Sequence, residues 1–171
     1  MAIGRGRLTT LIVVLIFLVL FLVLLDAGFS EWVTFSPAFA SLVNLTSVPT
    51  FSLYWILSNL SNSTYPLGTA AISFLVAAVF YFIALVVSVS LLKSRRLLIA
   101  GAILCIISAA IGFVSIGFIT NNTNNSLIAG NGQYLVLTVG IIYSIIYGLS
   151  WAGISLDNLI SRLLEFAGIK K

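Results

Sequence analysis

The stretch TAAISFLVAAVFYFIALVVSVSLLKSRRLLIAGAILCIISAAIGFVSIGFI (Thr69–Ile119) decides the fold. Its two apolar runs, Thr69–Leu92 and Leu97–Ile119, are each long enough to cross a bilayer, which takes roughly 17–25 helical residues. Lys93, Ser94, Arg95 and Arg96 between them leave room only for a tight turn. The reading is a transmembrane hairpin whose turn is basic. Because basic residues collect on the cytoplasmic side, the turn also gives the hairpin a direction.

Two further spans flank the hairpin, Leu8–Leu25 and Gln133–Leu156, and none of the four holds a charged residue in its interior. The expected fold is an all-α integral membrane protein, a four-transmembrane-helix bundle forming one domain over residues 1–171. With 61% hydrophobic and 7% charged residues, the chain has too few charges to wet the surface of a soluble globule. Arg5 and Arg7 precede the first span, and Arg162, Lys170 and Lys171 follow the last, so all eight cations fall on one side. Both termini are therefore expected in the cytoplasm of a multi-pass protein, most simply one of the plasma membrane. The outer loops, 26–68 and 120–132, keep only Asp26 and Glu31. Ala38-x-Ala40 fits a signal-peptidase site, but it lies well beyond the 18-residue apolar run, so a retained anchor helix is the preferred reading.

Five Asn-x-Ser/Thr sequons, at Asn44, Asn59, Asn62, Asn121 and Asn124, all fall in the expected outer loops, where N-glycosylation would agree with the charge rule. The long outer loop carries eight aromatic residues, among them Trp32, Phe51 and Trp55, and is expected to lie in the interface or pack on a neighbour. Phe51, Leu53, Trp55 and Leu57 alternate at period two, while Trp55–Leu60 fits a helical turn equally well. Asn131-Gly132 is a turn signal in the short second loop. An outer face with amides, hydroxyls and two carboxylates changes little in charge at low external pH, which fits an acidophilic archaeal source.

Helix faces differ sharply between spans. The first, from Leu11 to Leu25, has no small or hydroxyl residue ahead of Asp26 and offers no close-approach face. In the fourth, Gly140, Ser144, Gly148 and Ala152 recur every four residues, beside a second ridge of Tyr143, Tyr147 and Trp151. Gly101, Cys105 and Ala109 repeat that spacing in the third span. Small residues at this spacing allow close backbone approach, so spans two, three and four are expected to pack through these faces or to dock a partner. The tyrosine ridge is a candidate lipid or quinone contact. Cys105 reads as a small buried hydrophobe. The tail is expected to form an amphipathic helix on the inner leaflet, with Leu156, Leu159, Ile160, Leu163 and Leu164 on its apolar face.

The layout, with inside termini, a long first outer loop and a short second one, resembles that of the claudins. Their Trp-Gly-Leu-Trp and paired-cysteine signature is missing from residues 26–68, so the resemblance is one of topology and implies no residue role.

Missing residues restrict the chemistry. With no His, no Met beyond Met1 and one Cys, the chain lacks the usual ligands for haem, copper or an iron–sulfur cluster, and no cofactor is expected. Ion-coupled carriers normally place ionisable groups inside the membrane, and this chain has none there. The expected role is a non-catalytic accessory or structural subunit of a larger membrane complex, for instance a respiratory one. The alternative is a self-associating glycosylated tetraspan protein of a cell surface or viral envelope; a small channel or carrier is the weaker third. Expected partners are membrane lipids and other membrane subunits or further copies of the chain, and not nucleic acid.

Overall fold

The computed structural model describes residues 5–36, 50–58, 70–91, 95–123 and 127–168. Its elements are α1 (Arg5–Phe29), β1 (Glu31–Phe35), β2 (Thr50–Ser52), α2 (Leu53–Ser58), α3 (Ala70–Leu91), a 3-10 turn (Arg95–Leu97), α4 (Leu98–Thr123), β3 (Leu127–Ala129), α5 (Asn131–Trp151) and α6 (Leu156–Phe166). Four of them, α1, α3, α4 and α5, are long and apolar enough to span a membrane. Helix is the local solution because hydrocarbon offers no partner to a backbone N–H or C=O, and a helix bonds both internally.

The spans form a ring in which α1 touches α3 and α5, and α4 touches the same two from the other side. Although α1 has no small residue between Leu11 and Leu25, it does have a seam. Val13, Phe17, Leu20, Leu24 and Ala27 are buried, at alternating four- and three-residue steps. That spacing keeps one narrow stripe against neighbouring helices, as in a coiled coil. Leu11, Leu15, Leu18 and Leu22 on the same helix face outward. Composition hides the seam because inward and outward residues are equally apolar.

Polar side chains inside the bundle bond across helices. The Tyr81 hydroxyl on α3 donates to the Leu24 carbonyl of α1 at 2.8 Å. Ser108 on α4 donates to the Ala77 carbonyl of α3 at 2.8 Å. Tyr143 on α5 donates to the Ser88 hydroxyl of α3 at 3.1 Å, and Ser88 in turn donates to the Ala84 carbonyl.

At one end, segments of the two loops expected on the outside, 26–68 and 120–132, join in a three-stranded antiparallel sheet of order β2-β1-β3, a pairing that no periodicity in those segments announces. In β1, Val33, Thr34 and Phe35 pair with Ala129, Ile128 and Leu127 of β3. On its other side β1 pairs with β2, and the register slips between Glu31 and Val33. The irregularity falls at Trp32, so Trp32 and Val33 are both buried where strict alternation would expose one. Trp32 is thereby aimed into the bundle. Its indole N–H donates to the Ala27 carbonyl at 2.6 Å, satisfying an acceptor that the last turn of α1 leaves open. Its ring meets Tyr81 edge-on at 5.9 Å. The Trp32 carbonyl accepts from the Gly130 N–H at 3.0 Å and from the side-chain amide of Gln133 at 2.8 Å. One residue thus ties the sheet to α1, α3 and α5.

These contacts revise the expected loop boundaries. The segment 120–132 is largely regular: α4 runs through Thr123, β3 follows, and Asn131-Gly132 begins α5 instead of forming a turn. In the first loop, the period-two pattern ends at Ser52 and Leu53–Ser58 is helical. At the opposite end α5 stops at Trp151, not Leu156. Gly153, at φ +79°, closes it: the Gly153 and Ile154 N–H groups bond back to the Ser150 and Leu149 carbonyls. A left-handed residue just past the last turn is the glycine C-cap geometry. Ser155 then caps α6 by accepting the Asn158 N–H. Helix α6 packs beside α1 at the end of the bundle opposite the sheet, with Ile160 buried, while Leu159, Leu163 and Phe166 stay exposed.

Candidate functional site

Helix α5 carries most of the residues singled out by spacing, and it divides into two halves. Gly140 is buried, and a Cβ there would come within 3.0 Å of both Cys105 and Ile106 and 3.3 Å of the Ala102 carbonyl. This is a close backbone approach between α4 and α5. Tyr143 is fully buried: its ring lies 6.3 Å from Phe17 of α1, it packs against Gly101 of α4, and its hydroxyl reaches Ser88 of α3. Cys105 and Ala109 are buried on the same α4 face. Ser144 is half-buried and its hydroxyl returns to the Gly140 carbonyl at 2.9 Å.

One turn further along, the contacts end. Nothing lies within 4 Å of a Cβ built at Gly148, and Tyr147, Trp151 and Ala152 are exposed. The physical reason is helical pitch. Four residues make about 400° of rotation, so a ridge at that spacing drifts by about 40° per step. From Gly140 to Ala152 the drift is about 120°, enough to carry the ridge from the α4 interface to the outside. The tyrosine ridge drifts likewise: Tyr143 lies within the bundle, whereas Trp151 is 85% exposed. The three aromatic residues therefore present no common face to a lipid or quinone.

This division gives a paired expectation. Gly140→Leu forces a branched side chain into α4 and should cost about 1–3 kcal/mol, the usual range for overpacking. Gly148→Leu should leave stability within about 0.5 kcal/mol, because nothing faces it. Titration of both variants with a denaturing detergent, followed by circular dichroism, checks the contrast.

The second candidate region is the end opposite the sheet. Arg95 holds Asp157 with two hydrogen bonds, at 2.5 and 3.2 Å, joining the α3–α4 turn to the start of α6. Hydrogen bonding from Arg95 is the main influence holding the Asp157 carboxyl below its ordinary range; partial burial opposes it, and the guanidinium charge reinforces it. A depressed carboxylate stabilises the fold above its unfolded pKa of about 4 and loses that contribution as pH falls through the lower folded value. Both side chains are about two-fifths exposed, so the pair is worth only about 0.2–1 kcal/mol. Asp157→Asn should lower stability by that amount near pH 7. The difference from the unsubstituted chain should shrink as pH falls below the ordinary carboxylate range and vanish once Asp157 is protonated in the folded chain, in unfolding curves measured across pH.

Of the sequons, Asn121 falls in the last turn of α4, while Asn44, Asn59, Asn62 and Asn124 lie outside the described residues. Among the described residues, no group of three or more His, Cys, Asp or Glu side chains is placed to hold a metal ion. Two connections were missed by the spacing argument, the Trp32–Gln133 lock and the Arg95–Asp157 pair. Gln133 is the chain's only glutamine and stands at a span entrance, a signal that could have marked it for burial with a partner. No protein-family model, curated protein or solved structure matches the chain.

Proposed function

We propose that this chain is a non-catalytic structural subunit of a larger membrane assembly, docking a neighbouring membrane protein along the outward stripe of α5. The observation that carries this reading is the change of environment along one helix. Gly140 and Tyr143 are consumed by internal packing, while Ile141, Ile145, Gly148 and Ala152 form an exposed stripe ending in small residues. In hydrocarbon, helices associate through close packing and hydrogen bonds, because lipid tails are as apolar as leucine. A stripe that narrows to Gly and Ala admits a partner backbone, and a lipid chain draws no such advantage from it.

The interior supports the same role. Several interior hydroxyls, those of Tyr81, Ser88, Ser108 and Ser115, are engaged in bonds to neighbouring helices or to their own backbone, while the buried Thr120 hydroxyl has no partner among the described residues. Bonds of this kind fix a bundle and offer little to a substrate. In the proposed orientation the termini and the Arg95–Asp157 end face the cytoplasm of the cell that carries the protein in its plasma membrane, and the sheet covers the outside.

Extraction in a mild detergent, followed by identification of co-purifying chains, tests the proposal. A defined heterologous membrane subunit should co-purify with the unsubstituted chain and be lost with Gly148→Leu. A clean homo-oligomer would overturn the accessory-subunit reading in favour of a self-associating tetraspan protein.

A further inference from the structure

A cavity of about 480 Å³ opens at the Arg95–Asp157 end, between the start of α4, the last turn of α5 and the start of α6. Its polar lining is cationic and hydroxylic: Arg95, Arg96, Tyr147, Ser150 and Ser155. The geometry points to a binding site for the phosphate-bearing headgroup of an anionic phospholipid.

Charge is the first argument. Asp157 neutralises Arg95, whereas Arg96 is exposed and makes no ion pair among the described residues. The cavity therefore holds one uncompensated guanidinium, a group whose planar donors match phosphate oxygens. The start of α6 meets the start of α4 at this cavity, and Ser155, the N-cap of α6, lines it. Ser155 accepts the Asn158 N–H, so its own hydroxyl proton remains to be donated.

Position and shape select a lipid over a small solute. Leu98, Ile146 and Leu156 give the cavity an apolar part beside its charged and hydroxyl residues, where acyl carbons can pack. Trp151, next in sequence to the lining residue Ser150, and Phe166 at the end of α6 are 85% and 95% exposed, as aromatic residues are at headgroup level. The volume lies within the 300–1,000 Å³ typical of small-molecule pockets and well exceeds a bare phosphate. Basic pockets between spans are the recognised setting for anionic headgroups.

Native mass spectrometry of the full chain in detergent tests this with dioleoyl phosphatidylglycerol and dioleoyl phosphatidylcholine as probes. The unsubstituted chain should retain phosphatidylglycerol preferentially. Arg96→Gln should lower that retention about fivefold, while Arg162→Gln, on the exposed side of α6, should leave it unchanged. Circular dichroism of each variant establishes that the bundle is intact. Equal retention of the two lipids would overturn the site, as would equal losses from the two variants, which mean general surface attraction. Inorganic phosphate at tens of millimolar should fail to displace the lipid; full displacement would make free phosphate the ligand and overturn the lipid assignment.

Discussion

Trp32→Ala is expected to be among the most damaging single substitutions in the chain, costing about 3–5 kcal/mol. Trp32 sits in the sheet at the rim of the bundle, beyond the last turn of α1, where unfolding exposes it to water, so truncation loses both transfer energy and packing. It also leaves the Ala27 carbonyl without the indole N–H and removes the edge-on contact with Tyr81. The expected result in a detergent titration is a large shift of the unfolding midpoint. Limited proteolysis should cut the outer segments well before the spans, because the sheet loses its anchor to α1 and α3. Trp32→Phe should fall between, keeping most of the ring volume and losing the donor. A Trp32→Ala protein with an unshifted midpoint would mean that the sheet rests on the bundle without stabilising it.

Tyr143→Ala should cost about 2–3 kcal/mol, less than a large aromatic truncation in a soluble core. The reason for the discount is the solvent. Within hydrocarbon the water-transfer part of the loss is absent, and what remains is the cavity and the missing contacts. Those contacts reach all three other spans: Phe17 of α1, Ser88 of α3 and Gly101 of α4. Tyr143→Phe removes only the hydrogen bond to Ser88 and should cost about 0.6 kcal/mol, the typical worth of such a bond in a membrane. Tyr147→Ala, one turn away on the exposed side, should change stability by under about 0.5 kcal/mol. Unfolding midpoints of the three variants order these effects. Equal effects of the two alanine substitutions would contradict the division of α5.

The four spans were legible in the sequence because hydrophobic length is a direct consequence of bilayer thickness. Their packing was legible only where residue size varies along a helix. Gly140, Gly101 and Cys105 stand out from larger neighbours, but the α1 seam of Val13, Phe17, Leu20, Leu24 and Ala27 is apolar on an apolar helix and leaves no trace in composition. The sheet was hidden for a different reason. Its strands are three to five residues long, and β3 pairs with a strand almost a hundred residues earlier, so no local periodicity reports the pairing. The bulge at Trp32 further breaks the alternation that marks a strand. At the other end, the basic turn was plain, yet the choice of Asp157 as the partner of Arg95 depends on where Gly153 ends α5, a tertiary matter.

The outward stripe of α5 as a docking face is most directly tested in native membranes. A photoreactive benzophenone side chain placed at Ile145, one turn from Gly148 on that stripe, reports what lies against it. The same probe at Val114 of α4, which is 71% exposed, serves as the lipid-facing control. After illumination, the Ile145 probe should give one discrete adduct with a different membrane protein, abolished by Gly148→Leu, and the Val114 probe should give none. Lipid adducts alone at both positions would contradict the docking face.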